Sequence, residues 1–182
     1  MLALTREDVA SMLLILLRHG PAGKADPATW PDDSERPLTP RGEERTRGAA
    51  AGLARLLDGE VREIQTSRYA RCARTAEIAS EALGCPRVRA VPELEPGEPL
   101  GALLEELPSA AEDDVVVLVG HEPDLGKLAG TLVIGKAAAL PLKKAGACGV
   151  HFDGPPAPGK GRLVWHVTPR ILRRLAGPRS GA

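Results

Sequence analysis

Two histidines in this chain each follow an apolar run and each have glycine as a neighbour. One lies in Arg18-His19-Gly20, after Leu13–Leu17, and the other in Gly120-His121-Glu122-Pro123, after Val115–Val119. A third polar cluster, Ser67-Arg68-Tyr69-Ala70-Arg71, follows the stretch Glu63–Thr66. The 182 residues contain only four histidines, so two in matching settings are informative. Short apolar runs bounded by turn residues read as buried parallel strands, and open parallel sheets bind ligands beyond the carboxyl ends of their strands. The three clusters therefore belong on one rim, where they suit a phosphoryl group. Arginine presents a fixed fork of donors to phosphate oxygens and keeps its charge. A neutral imidazole is a competent nucleophile toward phosphorus, and a second, protonated imidazole would stabilise charge on the equatorial oxygens. Gly20 and Gly120 would let the backbone approach the ligand closely.

The elements that must position these residues alternate between strand-like and helix-like. Residues 21–38 carry Pro, Asp and Gly without an apolar period and read as a loop. Thr39-Pro40 is an N-cap followed by proline at the first helical position, opening a helix through Ala49, Ala50, Leu53, Leu56 and Leu57 that should stop near Asp58-Gly59. The strand at 63–66 leads to a helix over Tyr69–Leu83, closed by Gly84. Arg87–Val91 reads as a strand, Pro92–Pro99 as a loop, residues 100–107 as a short helix, and Asp124–Val133 as a helix after the Val-rich strand. In the tail, strands Ala147–Phe152 and Arg162–Val167 flank a Gly/Pro-rich loop, and a last helix spans Arg170–Leu175. Such alternation predicts an α/β fold, a three-layer α/β/α sandwich with a mostly parallel central sheet. With no internal repeat and no dividing linker, residues 12–182 read as one domain. Residues 1–11 read as a short N-terminal extension: a disordered tail, or an over-called segment with Met12 as the natural start.

Composition narrows the function. Lys and Arg number 24, as do Asp and Glu, so the net charge of zero argues against a nucleic-acid partner. Aromatic residues make up 2%, too few for base-stacking platforms. Cys72, Cys85 and Cys148 are widely spaced and odd in number, which suggests reduced thiols rather than a disulfide framework or a thiolate metal site. The apolar run Met12–Leu17 is far short of the roughly 20 residues that span a bilayer. It also lacks a basic flank, so neither a membrane anchor nor a signal peptide is expected and the compartment should be the cytoplasm.

Blander readings stand beside several of these residues. A metal held by His19 and His121 would lack carboxylate or thiolate partners at fixed spacing and would face an adjacent arginine, so no metal or other cofactor is expected. Arg36 either touches substrate or caps the Thr39 helix. Arg71 could lie on a solvated helix face beside Arg74. Lys143 and Lys144 read as a solvated turn or as flanks of the pocket entrance, and His151 and His166 as structural.

Leu17-Arg18-His19-Gly20 resembles the RHG signature of the histidine phosphatase (phosphoglycerate mutase-like) superfamily. Arg36-Pro37-Leu38-Thr39-Pro40-Arg41-Gly42 resembles the R-P-L-T-x-x-G segment of its small phosphohistidine phosphatase, SixA-like branch. Ser67–Ala76 is similar to that branch's S-P-x-x-R-A-x-Q-T-A stretch, and Gly120-His121-Glu122-Pro123 to its G-H-x-P motif. The resemblance extends over about residues 12–175 and implies a phosphoglycerate mutase-like fold with metal-independent chemistry. It implies His19 as the nucleophile that becomes phosphorylated, with Arg18, Arg71 and His121 completing the phosphate pocket. Arg68 stands where the branch has proline and rivals Arg71 for the substrate, and Arg74 stands where it has glutamine. Arg71 is preferred because it matches the position four residues before Thr75.

Larger members use a carboxylate to protonate the leaving oxygen. Glu93 and Glu95 lie in the corresponding region, and Glu93 matches better. The small branch manages without a clear acid, which suits phosphoramidates, because a protonated phosphohistidine imidazole departs readily whereas an alkoxide needs a proton delivered. The implied activity is hydrolysis through a phosphohistidine enzyme intermediate. Its implied substrate is a phosphorylated protein, such as a histidine phosphotransfer domain. The alternatives are a phosphatase of small phosphate esters or anhydrides, and a phosphate-dependent binding module without turnover.

Overall fold

The computed structural model describes residues 11–57, 59–106 and 114–177. The expected N-terminal extension lies outside the described residues except for Ser11, which opens the first strand. A six-stranded sheet forms the centre, in the order β3-β2-β4-β1-β5-β6. Its strands are β1 (Ser11–Arg18), β2 (Val61–Thr66), β3 (Val88–Ala90), β4 (Asp114–Gly120), β5 (Ala147–Asp153) and β6 (Arg162–Val167). The helices are α1 (Pro40–Ala54), α2 (Ala70–Leu83), α3 (Leu100–Glu106), α4 (Asp124–Ile134) and α5 (Pro169–Leu175). Strands β1 to β4 pair in parallel, while β5 and β6 add an antiparallel edge. The fold is thus the mostly parallel α/β sandwich expected.

Alternate residues of the central strands feed opposite faces, as the two-residue side-chain period of a strand requires. Leu14 and Leu16 of β1 join Val116 and Leu118 of β4 in packing on Leu125, Leu128 and Leu132 of α4. Ile15 and Leu17 join Val115, Val117 and Val119 against Leu53 of α1, Ala76 of α2 and Leu172 of α5. Fully burying one such side chain contributes about 1.5–3 kcal/mol, so a core built almost without aromatic rings is adequate. The chain's single phenylalanine, Phe152, is buried in the α4 face. Between α1 and α5 the backbones nearly touch: a Cβ on Gly52 would lie 1.8 Å from the carbonyl oxygen of Leu172.

Helix α1 opens as read from the sequence, with Thr39 Oγ1 accepting from the Gly42 N–H at 2.9 Å. It closes earlier, at Ala54 rather than near Asp58-Gly59. The N–H of Leu56 turns back to the carbonyl of Leu53, and this tighter turn keeps Leu56 and Leu57 against the core without extending the helix. Cys72, Cys85 and Cys148 are buried, and no disulfide joins them.

Candidate active site

Register brings the three polar clusters together. Arg18 at the end of β1 pairs with Gly120 at the end of β4, so the next residues, His19 and His121, emerge side by side. The His19 N–H donates to Gly120 O at 3.0 Å, and the Ser67 N–H, just past β2, donates to Val119 O at 3.1 Å. The two imidazoles are 5.2 Å apart between ring centres and tilted by 56°. His19 Nδ1 lies 2.7 Å from the carbonyl oxygen of Gly20. A carbonyl only accepts, so neutral His19 carries its proton on Nδ1 and keeps the lone pair on Nε2.

Gly20 serves the protein rather than a ligand. A Cβ there would stand 2.1 Å from Thr46 Oγ1 of α1, and the Gly20 N–H donates to Thr75 Oγ1 of α2 at 3.0 Å. At Gly120 a Cβ would meet the Leu125 side chain at 3.3 Å. Both glycines make room for packing, which corrects the expectation that they admit a ligand to the backbone.

His121 is oriented from both ends. Arg71 Nη2 lies 3.5 Å from its Nδ1, and arginine only donates, so Nδ1 accepts there and the proton sits on Nε2. Nε2 then donates to Ser67 Oγ at 3.0 Å, with Cys72 Sγ at 3.3 Å. Arg71 is buried, its guanidinium stacked 4.8 Å from the Tyr69 ring centre, with Nη1 donating to the Asp33 carbonyl at 2.7 Å. Arg36 is also buried and does not cap α1. It donates from Nε to Asp33 Oδ1 and from Nη1 to Gly23 O, both at 2.7 Å. Arg18 donates from Nη1 to Leu142 O at 2.8 Å. The Nε–H groups of Arg18 and Arg71 are buried without an acceptor among the described residues.

Burial dominates the electrostatics. It pushes the His19 imidazole down to about 3, opposed by the Gly20 carbonyl and reinforced by the nearby His121, Arg71 and Arg18. His121 is pushed down to about 4 by burial and then by Arg71. Both rings are therefore neutral near pH 7, so in the resting site the second imidazole is not the protonated group expected from sequence. The hydrogen bond from Arg36, followed by the charge of Arg71, holds the Asp33 carboxyl below its ordinary value. Lys144 is lowered by burial and by Arg18, Arg36 and Arg71.

These shifts imply an acid-sensitive fold. Unfolded histidines titrate near 6.5, so between that value and about 4 the unfolded chain binds protons that the folded one refuses. Stability is then full above pH 6.5 and falls on acidification, by up to about 1.4 kcal/mol per pH unit for each ring. Thermal melts from pH 7 to 4 should show wild type losing Tm faster than a His19→Asn/His121→Asn variant. Equal slopes would refute the assignment.

A cleft of about 310 Å³ collects Arg18, His19, Arg36, Arg71 and His121, together with Asp33, Tyr69, Pro96, Glu122 and Lys144. Glu93 is not among its lining residues: it sits half-buried in a 3-10 turn over Pro92–Leu94. Arg68 is exposed and pairs with Glu95 at 2.5 Å instead of reaching the cleft. Arg74 pairs with Glu43 and Glu77, His151 stands beside Asp153, and His166 lies near Pro141 O. Sequence reasoning missed Asp33 outright, although it lies three residues before Arg36, and it gave no role to Glu122 inside the recognised Gly120–Pro123 motif. Ser67 and Tyr69 stood inside a recognised cluster without a role. A larger groove of about 750 Å³ runs between α1 and α5, walled by arginines such as Arg45 and Arg173, but no histidine or cysteine lines it. Among the described residues no group of three or more His, Cys, Asp or Glu side chains could hold a metal, and no helix is long and apolar enough to cross a membrane.

Residues 14–96 match the model of the histidine phosphatase superfamily, branch 1. An uncharacterized protein of Picosynechococcus sp. is 42% identical over 146 residues, which cover 77% of this chain and 85% of that protein. The protein histidine phosphatase SixA, solved in complex with tungstate, superposes with a TM-score of 0.72 at 24% identity, over 88% of this chain and 99% of that one. Phosphoglycerate mutase of Plasmodium falciparum superposes with a TM-score of 0.60 at 19% identity, over 85% and 88%. At these identities the two structures establish a shared fold.

Proposed function

The chain belongs to the histidine phosphatase superfamily, and from that premise we propose that it is a metal-independent phosphatase acting on phosphohistidine in a protein. The observation that carries this reading is that Arg18 and Arg71, each with an Nε–H lacking an acceptor among the described residues, line one cleft with His19. The His19 Nδ1 is tied to a carbonyl, leaving Nε2 to attack. Arginine forks on such a cleft wall suit the oxygens of a tetrahedral dianion. We read residues 12–182 as one domain, and buried thiols without a disulfide suit a reducing compartment such as the cytoplasm.

In the proposed reaction His19 Nε2 attacks phosphorus in line. The N–P bond forms as the bond to the leaving imidazole breaks, and the imidazole departs carrying the proton it gained from solvent. Charge on the three equatorial oxygens is met by Arg18, Arg71 and His121. A dianion beside His121 raises its proton affinity, so a ring that is neutral at rest becomes a donor as substrate binds. Water then attacks the phosphoryl group on His19: the O–P bond forms as the P–N bond breaks, one water proton stays on the released phosphate, the other passes to solvent, and His19 recovers its Nε2 lone pair.

The leaving group follows from the carboxylates. Glu93 does not line the cleft; of the two carboxylates that do, Asp33 is kept ionised by Arg36 and Arg71, and Glu122 is turned to the Leu142 N–H, which its Oε1 accepts at 3.0 Å. An ionised carboxylate has no proton to give, which favours a leaving group that departs without one delivered. The name of the structural relative, a protein histidine phosphatase, points the same way.

Phosphate release measured with chelator present tests this reading. The panel would set a phosphohistidine-bearing phosphotransfer protein beside small phosphate esters and anhydrides, and the protein should be turned over fastest. Preference for the small esters or anhydrides would move the substrate class. Phosphate binding without any turnover would make the domain a binding module.

A further inference from the structure

Asp33 and Glu122 are carboxylates on the cleft wall, and they are held differently. Glu122 Oε1 accepts the backbone N–H of Leu142 at 3.0 Å. Both oxygens of Asp33 are bound by arginines instead. Oδ1 accepts from Arg36 Nε at 2.7 Å, while Oδ2 stands 2.9 Å from Arg71 Nη2 and 3.3 Å from Arg36 Nη2. One oxygen bridging two guanidinium forks is the arrangement a phosphoryl oxygen adopts. Two anions cannot share those donors, so a phosphoryl group that engages Arg36 and Arg71 must displace the Asp33 side chain.

The local structure allows that exchange. Asp33 opens a single 3-10 turn, Asp33–Glu35, and its side chain is 47% exposed, so it can rotate toward solvent without leaving a cavity. The arginines have other anchors: Arg36 Nη1 on Gly23 O, and Arg71 Nη1 on the backbone carbonyl of Asp33 itself. That last bond also tethers the displaced carboxylate to the cleft mouth.

We propose that Asp33 is a specificity residue. It takes the hydrogen bonds of Arg36 and Arg71 until a phosphoryl group claims them. It then stands at the rim as a negative charge beside the leaving group, favouring one with an N–H or a positive charge, as in phosphoimidazole, and opposing one that carries a carboxylate. The proposal rests on the phosphohistidine reading above and names how that substrate is chosen, by an unfavourable charge contact built against the others.

The test uses the full chain with Asp33→Asn and Asp33→Ala. Inorganic phosphate, titrated calorimetrically, should bind at least about threefold more tightly to both variants, because a competing anion has been removed. Relative to wild type, kcat/KM should fall roughly tenfold on a phosphohistidine peptide and rise by a similar factor on 3-phosphoglycerate, which carries a carboxylate. Weaker phosphate binding in both variants, or the same direction of change on both substrates, would overturn the proposal and leave Asp33 as a positioning residue for Arg71. The phosphate titration needs no turnover. If wild type hydrolyses 3-phosphoglycerate but not the phosphohistidine peptide, the substrate reading fails, and Asp33 is judged by the titration and by the sign of change on the ester.

Discussion

His19→Ala should abolish phosphate release, lowering kcat by at least about 10⁴-fold, or roughly 5.5 kcal/mol of barrier, while the domain stays folded. The ring has no substitute in the cleft. His121, the nearest imidazole, is turned with Nδ1 toward Arg71 and Nε2 toward Ser67, so neither nitrogen offers a free lone pair for in-line attack. Cys72 is also close, but burial pushes its thiol up to about 12, which removes the thiolate as a rival nucleophile near pH 7. The cost to folding is small because, among the described residues, the His19 side chain is hydrogen-bonded only to Gly20 O. Losing one such bond costs on the order of 1 kcal/mol. Below pH 6.5 even that loss is offset, since the variant no longer buries a ring that resists protonation. Rapid-quench assays for a phosphorylated enzyme, run beside thermal melts, separate the two effects. Turnover within tenfold of wild type in a folded His19→Ala protein would remove His19 from the nucleophile's role.

How far this site was legible depends on what kind of information placed each residue. His19 and His121 follow strands whose apolar runs are unmistakable, and the parallel register Arg18↔Gly120 then forces them together. Arg71 was legible because helix α2 starts directly after β2 and turns its first buried position into the cleft. The edge formed by β5 and β6 could be read as two strands, and the short Gly/Pro connection turns β6 back along β5, but no periodicity in the chain tells that β5 runs antiparallel to β1. Asp33 was invisible for a physical reason. It lies in an aperiodic loop of Pro, Asp and Gly, where Asp26, Asp32 and Asp33 look alike, and only the fold decides which of them meets Arg36 and Arg71. Glu93 illustrates the reverse. Its position in the chain matched a pattern, yet a 3-10 turn buries Leu94 and leaves Pro96, not Glu93, on the cleft wall.

Arg71→Ala should lower kcat/KM at least about a hundredfold, equivalent to about 2.7 kcal/mol of transition-state stabilisation. The guanidinium does three things at once: it lines the cleft as a phosphate donor, its Nη2 orients His121 Nδ1, and its Nη1 holds the Asp33 backbone. Alanine therefore removes a phosphate donor and also loosens the ring and loop beside it. Arg71→Lys separates these roles. Lysine restores the charge but not the planar fork, so it should recover phosphate affinity in part while kcat stays low. Arg68→Ala is the opposing control. That side chain is 65% exposed and paired with Glu95, a surface arrangement of little energetic weight, so kcat/KM should change less than about threefold. The order of damage is thus expected to be Arg71→Ala, then Arg71→Lys, then Arg68→Ala near wild type. If Arg68→Ala proved the more harmful change in a folded protein, the phosphate arginine would be Arg68, and the cleft would have to rearrange on binding to bring it in.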